Sequence, residues 1–244
     1  MQWSGDKNAE TVVEFLERAA GERAEVCAFP ELAIPGFHRQ IRELARPELM
    51  AAWFRAVQEA CARYEIGAVL GAPTFGAQSQ IFNSAVFVDA GGRLCSTVEK
   101  TGLTAPEATF FTAGAKRPVV ELFGHRCSAV LCREVEDLEP VRAQFVGELP
   151  TLLFWPGLMG PEEGTEHLDP PRHVRQAQEM ARSLQAHIVQ ANWPNSLNYP
   201  EKSSTAGRSI VVSPSGSIEL ALPMAESGLG IFNLGESSFV WLAQ

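Results

Sequence analysis

Three observations predict an α/β fold built on mixed sheets. Apolar runs of strand length alternate with segments of helical periodicity, no linker or low-complexity stretch interrupts them, and two pairs of runs carry hairpin signals. Residues 8–20 place Val12, Val13, Leu16, Ala19 and Ala20 at helical spacing, and a strand follows at 25–29. Pro47 stands where a first-turn proline belongs, and Leu49, Trp53, Ala56, Val57, Ala60 and Cys61 mark one face of the helix behind it. The apolar run 66–73 comes next, then the β-rich runs 81–88 and 93–99, joined by Ala90-Gly91-Gly92. Strands at 117–123 and 127–132 precede a helix near 137–147 and a strand at 150–155. A helix over 172–186 leads into a strand at 187–192. The runs 209–212 and 217–222 flank the turn Ser213-Pro214-Ser215-Gly216-Ser217 as a second hairpin, and 228–234 reads as the last strand. Periodicity leaves the strand order open.

Composition narrows the function classes. A chain of 244 residues, 45% hydrophobic and 20% charged, reads as one domain over 1–244 with ample core. A net charge of −9 without any lysine or arginine block argues against nucleic acid and anionic membrane as partners. No apolar run reaches spanning length and no basic-then-apolar leader opens the chain, so a cytoplasmic location is expected. Five cysteines (27, 61, 95, 127 and 132) without C-x-x-C spacing fit reduced thiols. Cys127 and Cys132, an odd number of positions apart on one predicted strand, are expected on opposite faces of the sheet. The five histidines are scattered, with His167 and His173 in or beside a proline-rich loop, so neither a metal nor another cofactor is expected.

Three reactive side chains each close an apolar run: Glu31 ends CAFPE (27–31), Lys100 ends LCSTVEK (94–100), and Cys132 ends CSAVLC (127–132). A carboxylate base, a thiol nucleophile and an ammonium counter-charge suffice for thiol-based acyl transfer. Each alone has a plainer reading. A strand-end cysteine is usually a small core hydrophobe, as expected for Cys27, Cys61, Cys95 and Cys127. Glu31 could cap a loop, Lys100 could be a solvated charge, and Glu107 could be a first-turn helix acid.

The segments carrying these residues resemble the nitrilase superfamily of carbon–nitrogen hydrolases, from about Gln2 to about Leu234. FPELAIPGF (29–37) is similar to the family's general-base segment. EKTGLTAPEATFFTAG (99–114) is similar to its lysine segment, with a second glutamate at Glu107. SAVLCREVEDLEPVR (128–142) resembles the cysteine segment, ARSLQAHIVQAN (181–192) the helix-strand step, and GRSIVVSPSGSI (207–218) the late hairpin. The resemblance implies a four-layer α-β-β-α sandwich of two mixed sheets and a catalytic set of Glu31, Lys100 and Cys132. Glu107 would hold Lys100 or the leaving group, and the Arg133 N–H would join Lys100 at the oxyanion. Arg133, Trp155 and Asn192 are expected at the substrate, although Arg133 could instead pair with a nearby acid and Trp155 could be core. Glu134 and Glu139 read as structural partners of arginines such as Arg142, and Trp53 and Trp193 as packing. The substrate class implied is a small linear amide or N-carbamoyl compound, then a nitrile, and the protein would be a homodimer. A catalytically silent binding or interaction protein on the same fold is the contrasting possibility.

Two departures bear on that expectation. Family members open with a hydrophobic strand ahead of a segment like SGDKNAET (4–11), and here only Met1-Gln2 stands before Trp3 and that segment. Residues 24–30 are therefore expected to have a poorly paired edge, and the domain a low thermal stability. Arg133, Asp137-Leu138 and the loop 156–171 also differ from the family pattern.

Overall fold

The computed structural model describes residues 1–145, 147–160, 170–200, 207–224 and 226–244. The chain begins with helix α1 (Gly5–Gly21), capped by the Ser4 side chain, which accepts from the Lys7 N–H. Strand β1 (Val26–Ala28) is short. A one-turn helix α2 (Ile41–Leu44) precedes α3 (Pro47–Tyr64), which starts with Pro47 as its pattern predicts. Strands β2 (Gly67–Phe75), β3 (Ile81–Val88) and β4 (Leu94–Glu99) complete the first sheet. Its order is β1-β2-β3-β4, with β1 parallel to β2 and the remaining pairs antiparallel.

The second sheet draws on β5 (Val120–Leu122), β6 (His125–Ala129), β7 (Leu152–Gly157), β8 (His187–Asn192), β9 (Ile210–Val212) and β10 (Ile218–Ala221). Its order is β10-β9-β8-β7-β6-β5, with β6, β7 and β8 mutually parallel. Helices α4 (Leu138–Ala143) and α5 (Arg172–Leu184) belong to this half. Of the parallel strands, β7 is apolar and buried throughout, as a strand covered on both sides must be.

Three apolar clusters define four layers. Leu16 of α1 and Val57 of α3 pack with Ala68 and Leu70 of β2. Met180 and Leu184 of α5 pack with Leu153 and Trp155 of β7. Between the sheets, Val69, Phe87 and Val98 meet Cys127, Leu152 and Phe154, with the Phe87 and Phe154 rings edge-on at 5.8 Å. The fold is therefore the α-β-β-α sandwich of mixed sheets that the resemblance implies.

Several boundaries differ from the sequence reading. The strand read at 117–123 begins only at Val120, because the Arg117 side chain turns inward and is buried. The strand read at 127–132 ends at Ala129, so Cys132 is not a strand residue. The run 228–234 is not the final strand: β11 (Gly228–Ile231) pairs antiparallel with β12 (Val240–Ala243) in a separate two-stranded sheet. His167 and part of the loop 156–171 lie outside the described residues. Among the described residues strand β1 pairs only with β2, so the expected poorly paired edge is present.

Candidate active site

Glu31 sits one turn beyond β1, and two contacts fix its backbone. The Trp193 indole N–H donates to the Glu31 carbonyl at 2.7 Å. Gly71 of β2 lies flat against the same turn, where a Cβ would meet the Pro30 oxygen at 2.2 Å and the Glu31 Cα at 2.7 Å. A glycine within an apolar strand often marks such a close backbone approach. Lys100 directly follows β4, and its N–H donates to the Asn83 carbonyl on neighbouring β3 at 2.7 Å.

These elements bring the charges together. Lys100 Nζ donates to Glu31 Oε1 at 2.7 Å and to Glu107 Oε1 at 2.6 Å. Asn83 Nδ2 donates to Glu31 Oε1 at 2.8 Å. Glu107 Oε2 accepts from the Thr104 N–H and hydroxyl at 2.8 and 2.9 Å. Lys100 and Glu31 are buried, and among the described residues Glu31 Oε2 has no hydrogen-bond partner. One carboxylate oxygen thus anchors the lysine while the other is free for a proton.

Electrostatics follow from that enclosure. Burial pushes the Glu31 carboxyl up, and the pull of Lys100 does not cancel it. Burial works against the Lys100 ammonium, but Glu31, Cys132 and Glu107 outweigh it and hold the group above the usual lysine range. Burial, reinforced by the charge of Glu31, pushes the Cys132 thiol up to about 12 against the pull of Lys100. The resting thiol is protonated at neutral pH and needs a base at the moment of attack.

Cys132 opens a 3-10 turn, Cys132–Glu136, with a left-handed backbone at φ 52°. A non-glycine residue in that region costs on the order of 1–3 kcal/mol and persists where its surroundings over-determine it. Here they do. Glu134 is buried and accepts the Leu131, Thr101 and Gly102 N–H groups at 2.8, 2.7 and 3.0 Å, and Arg117 Nη2 at 2.8 Å. One carboxylate therefore ties the nucleophile turn to the residues after Lys100. Burial would raise the Glu134 carboxyl, but Arg117 and these N–H groups hold it below the usual carboxylate range.

Three residues expected at the substrate have other partners. Trp155 is wholly buried in the helix-side core, and its indole N–H donates to the Cys132 carbonyl at 2.8 Å. Asn192 accepts from the Met159 N–H at 2.7 Å and donates to the Met159 and Gly207 carbonyls at 2.8 and 2.7 Å. It pins a loop whose Met159 sulfur lies 3.5 Å from Cys132 Sγ. Arg133 forms a two-pronged ion pair with Asp137, at 2.8 and 3.1 Å. Its backbone belongs to the opening turn of the 3-10 segment, where N–H groups lack intrahelical partners.

Sequence reasoning missed Asn83, Arg117, Gly71 and Met159, and took Trp193 for packing alone. Asn83 and Gly71 carried a signal, as a polar residue and a glycine inside apolar strands. Arg117 carried none. Glu134 pairs with Arg117 rather than Arg142, whose guanidinium donates to Ser183. A cavity of about 290 Å³ opens beside Glu107, bordered by Leu32, Phe37, Arg39, Arg42 and Phe110. Among the described residues no cluster of histidine, cysteine and carboxylate side chains could hold a metal, and no helix is long and apolar enough to cross a membrane.

Comparison with known proteins gives this geometry a context. The family model described as carbon-nitrogen hydrolase matches residues 1–234. A glutamine-dependent NAD(+) synthetase from Acinetobacter baylyi (strain ATCC 33305 / BD413 / ADP1) is 24% identical over 223 residues, covering 89% of this chain and 39% of that protein. The chain thus spans about two fifths of the length of this curated relative. A crystal structure of an amidase from Nesterenkonia sp. superposes with a TM-score of 0.74 at 22% identity, covering 90% of this chain and 81% of the amidase. The glutamine-dependent NAD+ synthetase of Acinetobacter baumannii gives 0.72 at 23% identity, covering 90% of this chain and 41% of its own. At these identities the structural likeness speaks for the fold.

Proposed function

The chain belongs to the carbon–nitrogen hydrolase family, and we propose that it cleaves a non-peptide carbon–nitrogen bond through a thioester on Cys132. The observation that carries this reading is the Lys100 ammonium clamped between Glu31 and Glu107. As Cys132 Sγ attacks the carbonyl carbon, its proton passes to the unpartnered Glu31 Oε2. The carbonyl oxygen becomes an oxyanion, held by Lys100 and the Arg133 N–H. Collapse breaks the C–N bond, and Glu31 returns its proton to the departing amine. Water deprotonated by Glu31 then attacks the thioester, releasing the acid and restoring the thiol. Glu107 keeps Lys100 charged and aimed. Trp155, Asn192 and the Arg133–Asp137 pair act as positioning groups for the nucleophile turn.

The preferred substrate is a small linear amide or N-carbamoyl compound. The names of both kinds of relative, an amidase and a glutamine-dependent synthetase, point toward a primary carboxamide. A nitrile would react through a thioimidate at the same thiol. The reading includes one domain, a homodimer in the cytoplasm, and no metal or organic cofactor. Ammonia release over short linear amides, glutamine, N-carbamoyl amino acids and nitriles tests it. Turnover of a carboxamide or carbamoyl compound is expected. No release from any of them by folded protein, with slow alkylation of Cys132, would mark a silent scaffold instead.

A further inference from the structure

The cavity of about 290 Å³ beside Glu107 has a buried wall and a basic rim. Leu32, the buried neighbour of Glu31 in the chain, borders it together with Glu107, which clamps Lys100. Phe37 and Phe110 add apolar surface, and Arg39 and Arg42, both exposed, border it at the solvent. Glu107 is the one acid on this border among the described residues, and Lys100 takes up its charge at 2.6 Å. Two positive charges remain.

Neither guanidinium has an acid partner. Arg93, Arg117 and Arg133 close on carboxylates at 3.1, 2.8 and 2.8 Å, but among the described residues no carboxylate lies within ion-pair distance of Arg39 or Arg42. Both are nevertheless held in place. Arg42 donates to the Thr109 carbonyl and hydroxyl and lies 5.0 Å from the Phe110 ring centroid, so the 3-10 turn Glu107–Thr109 that carries Glu107 also anchors this arginine. Arg39 lies 5.2 Å from the Trp3 ring centroid, and its backbone N–H donates to Asn198 Oδ1 at 3.1 Å. Guanidinium groups fixed by rings and hydrogen bonds, without a counter-charge, beside an apolar cleft suit a carboxylate. Building on the catalytic reading above, we propose that the substrate is a short linear amide with a carboxylate at its far end, held by Arg39 and Arg42 while its carboxamide meets Glu31, Lys100 and Cys132. The cavity is at the small end of ligand sites, which run from roughly 300 to 1,000 Å³, so a chain of a few carbons is the expected length. A neutral amide of the same length would leave both arginines uncompensated.

The test compares glutaramate, a linear amide with a terminal carboxylate, with glutaramide, in which a second carboxamide replaces that carboxylate. At low salt kcat/KM should favour glutaramate by roughly tenfold. The difference should lie mainly in KM, because the arginines would touch a part of the substrate remote from the reacting bond. Arg39→Gln and the double variant Arg39→Gln/Arg42→Gln should lower that preference stepwise to parity. Arg55→Gln, at an exposed arginine off the cavity border, should keep it. Reading the ratio within each variant cancels any damage from losing the Thr109 contacts of Arg42. Equal use of both amides by wild type, or a preference that survives the double substitution, would overturn the proposal. Glutarate gives a readout without turnover: at saturation it should raise the melting temperature of wild type by a few degrees and leave that of the double variant unchanged. Ammonia release from neutral amides, with neither a glutarate shift nor a preference for the carboxylate, would sink the anion site and leave the thiol mechanism standing. A glutarate shift lost in the double variant, with no amide turned over, would do the reverse.

Discussion

Within a few residues, β1 and the turn after it pass from an open edge to an enclosed network of paired charges. At Val26 and Ala28 its outer backbone groups face a cavity. At Glu31 the carboxylate, Lys100, Asn83 and Glu107 are joined by short hydrogen bonds in a closed space. Unpaired groups in a roomy, open cleft can be solvated at modest cost, whereas a buried charge must be paired or it costs several kcal/mol. The site is braced from β2, β3, β4 and the turn after β6, and depends little on the free side of β1.

That contrast can be broken from its satisfied end, where effects should be largest. Glu134→Ala leaves Arg117 buried without its partner and should cost about 3–5 kcal/mol, measured by denaturant unfolding. A loss below about 1 kcal/mol would mean that the nucleophile turn is not held by this carboxylate. Lys100→Ala should lower kcat by about 10²–10³ with a smaller change in KM, because its charge is needed chiefly when the oxyanion forms. An unfolded Lys100→Ala would make that lysine structural. Gly71→Ala drives a methyl into the Glu31 turn and should cost about 1–3 kcal/mol while slowing turnover.

The smallest expected effect is one of pH. The folded Glu134 carboxyl titrates below its unfolded value of ~4.3. Its stabilisation is therefore complete above that unfolded value and is lost as pH falls through the folded one. Glu134→Gln, compared with wild type by urea unfolding between neutral and acid pH, should lack this component of the acid-side decline. Parallel curves for the two proteins would contradict the assignment.

The legible part of the site was the part tied to strand ends. Glu31, Lys100 and Cys132 close apolar runs, and the fold brings Glu31 and Lys100 together with Glu107. Side-chain direction was less legible. Trp155, Asn192 and Arg133 stand at the right places along the chain, yet each turns toward the nucleophile turn, its loop or a neighbouring acid. Cys132 was placed on a strand because CSAVLC is apolar throughout, while the left-handed turn that presents the thiol depends on Glu134 and distant partners. Strand β12 was missed because SSFVWLAQ lacks alternation, and among the described residues it pairs with β11 alone. The poorly paired edge of β1 was anticipated. The cavity beside it was not, since it requires β11 to stay away from β1.

The account's central claim is that Cys132 is the nucleophile and Glu31 its base. Intact-protein mass spectrometry of enzyme quenched in acid during turnover of a carboxamide identified by ammonia release tests this most directly. The predicted result is one acyl group per chain on the Cys132 peptide, absent in Cys132→Ala and formed far more slowly in Glu31→Gln. Undiminished ammonia release by a folded Cys132→Ala, or an acyl group on another residue, would contradict it.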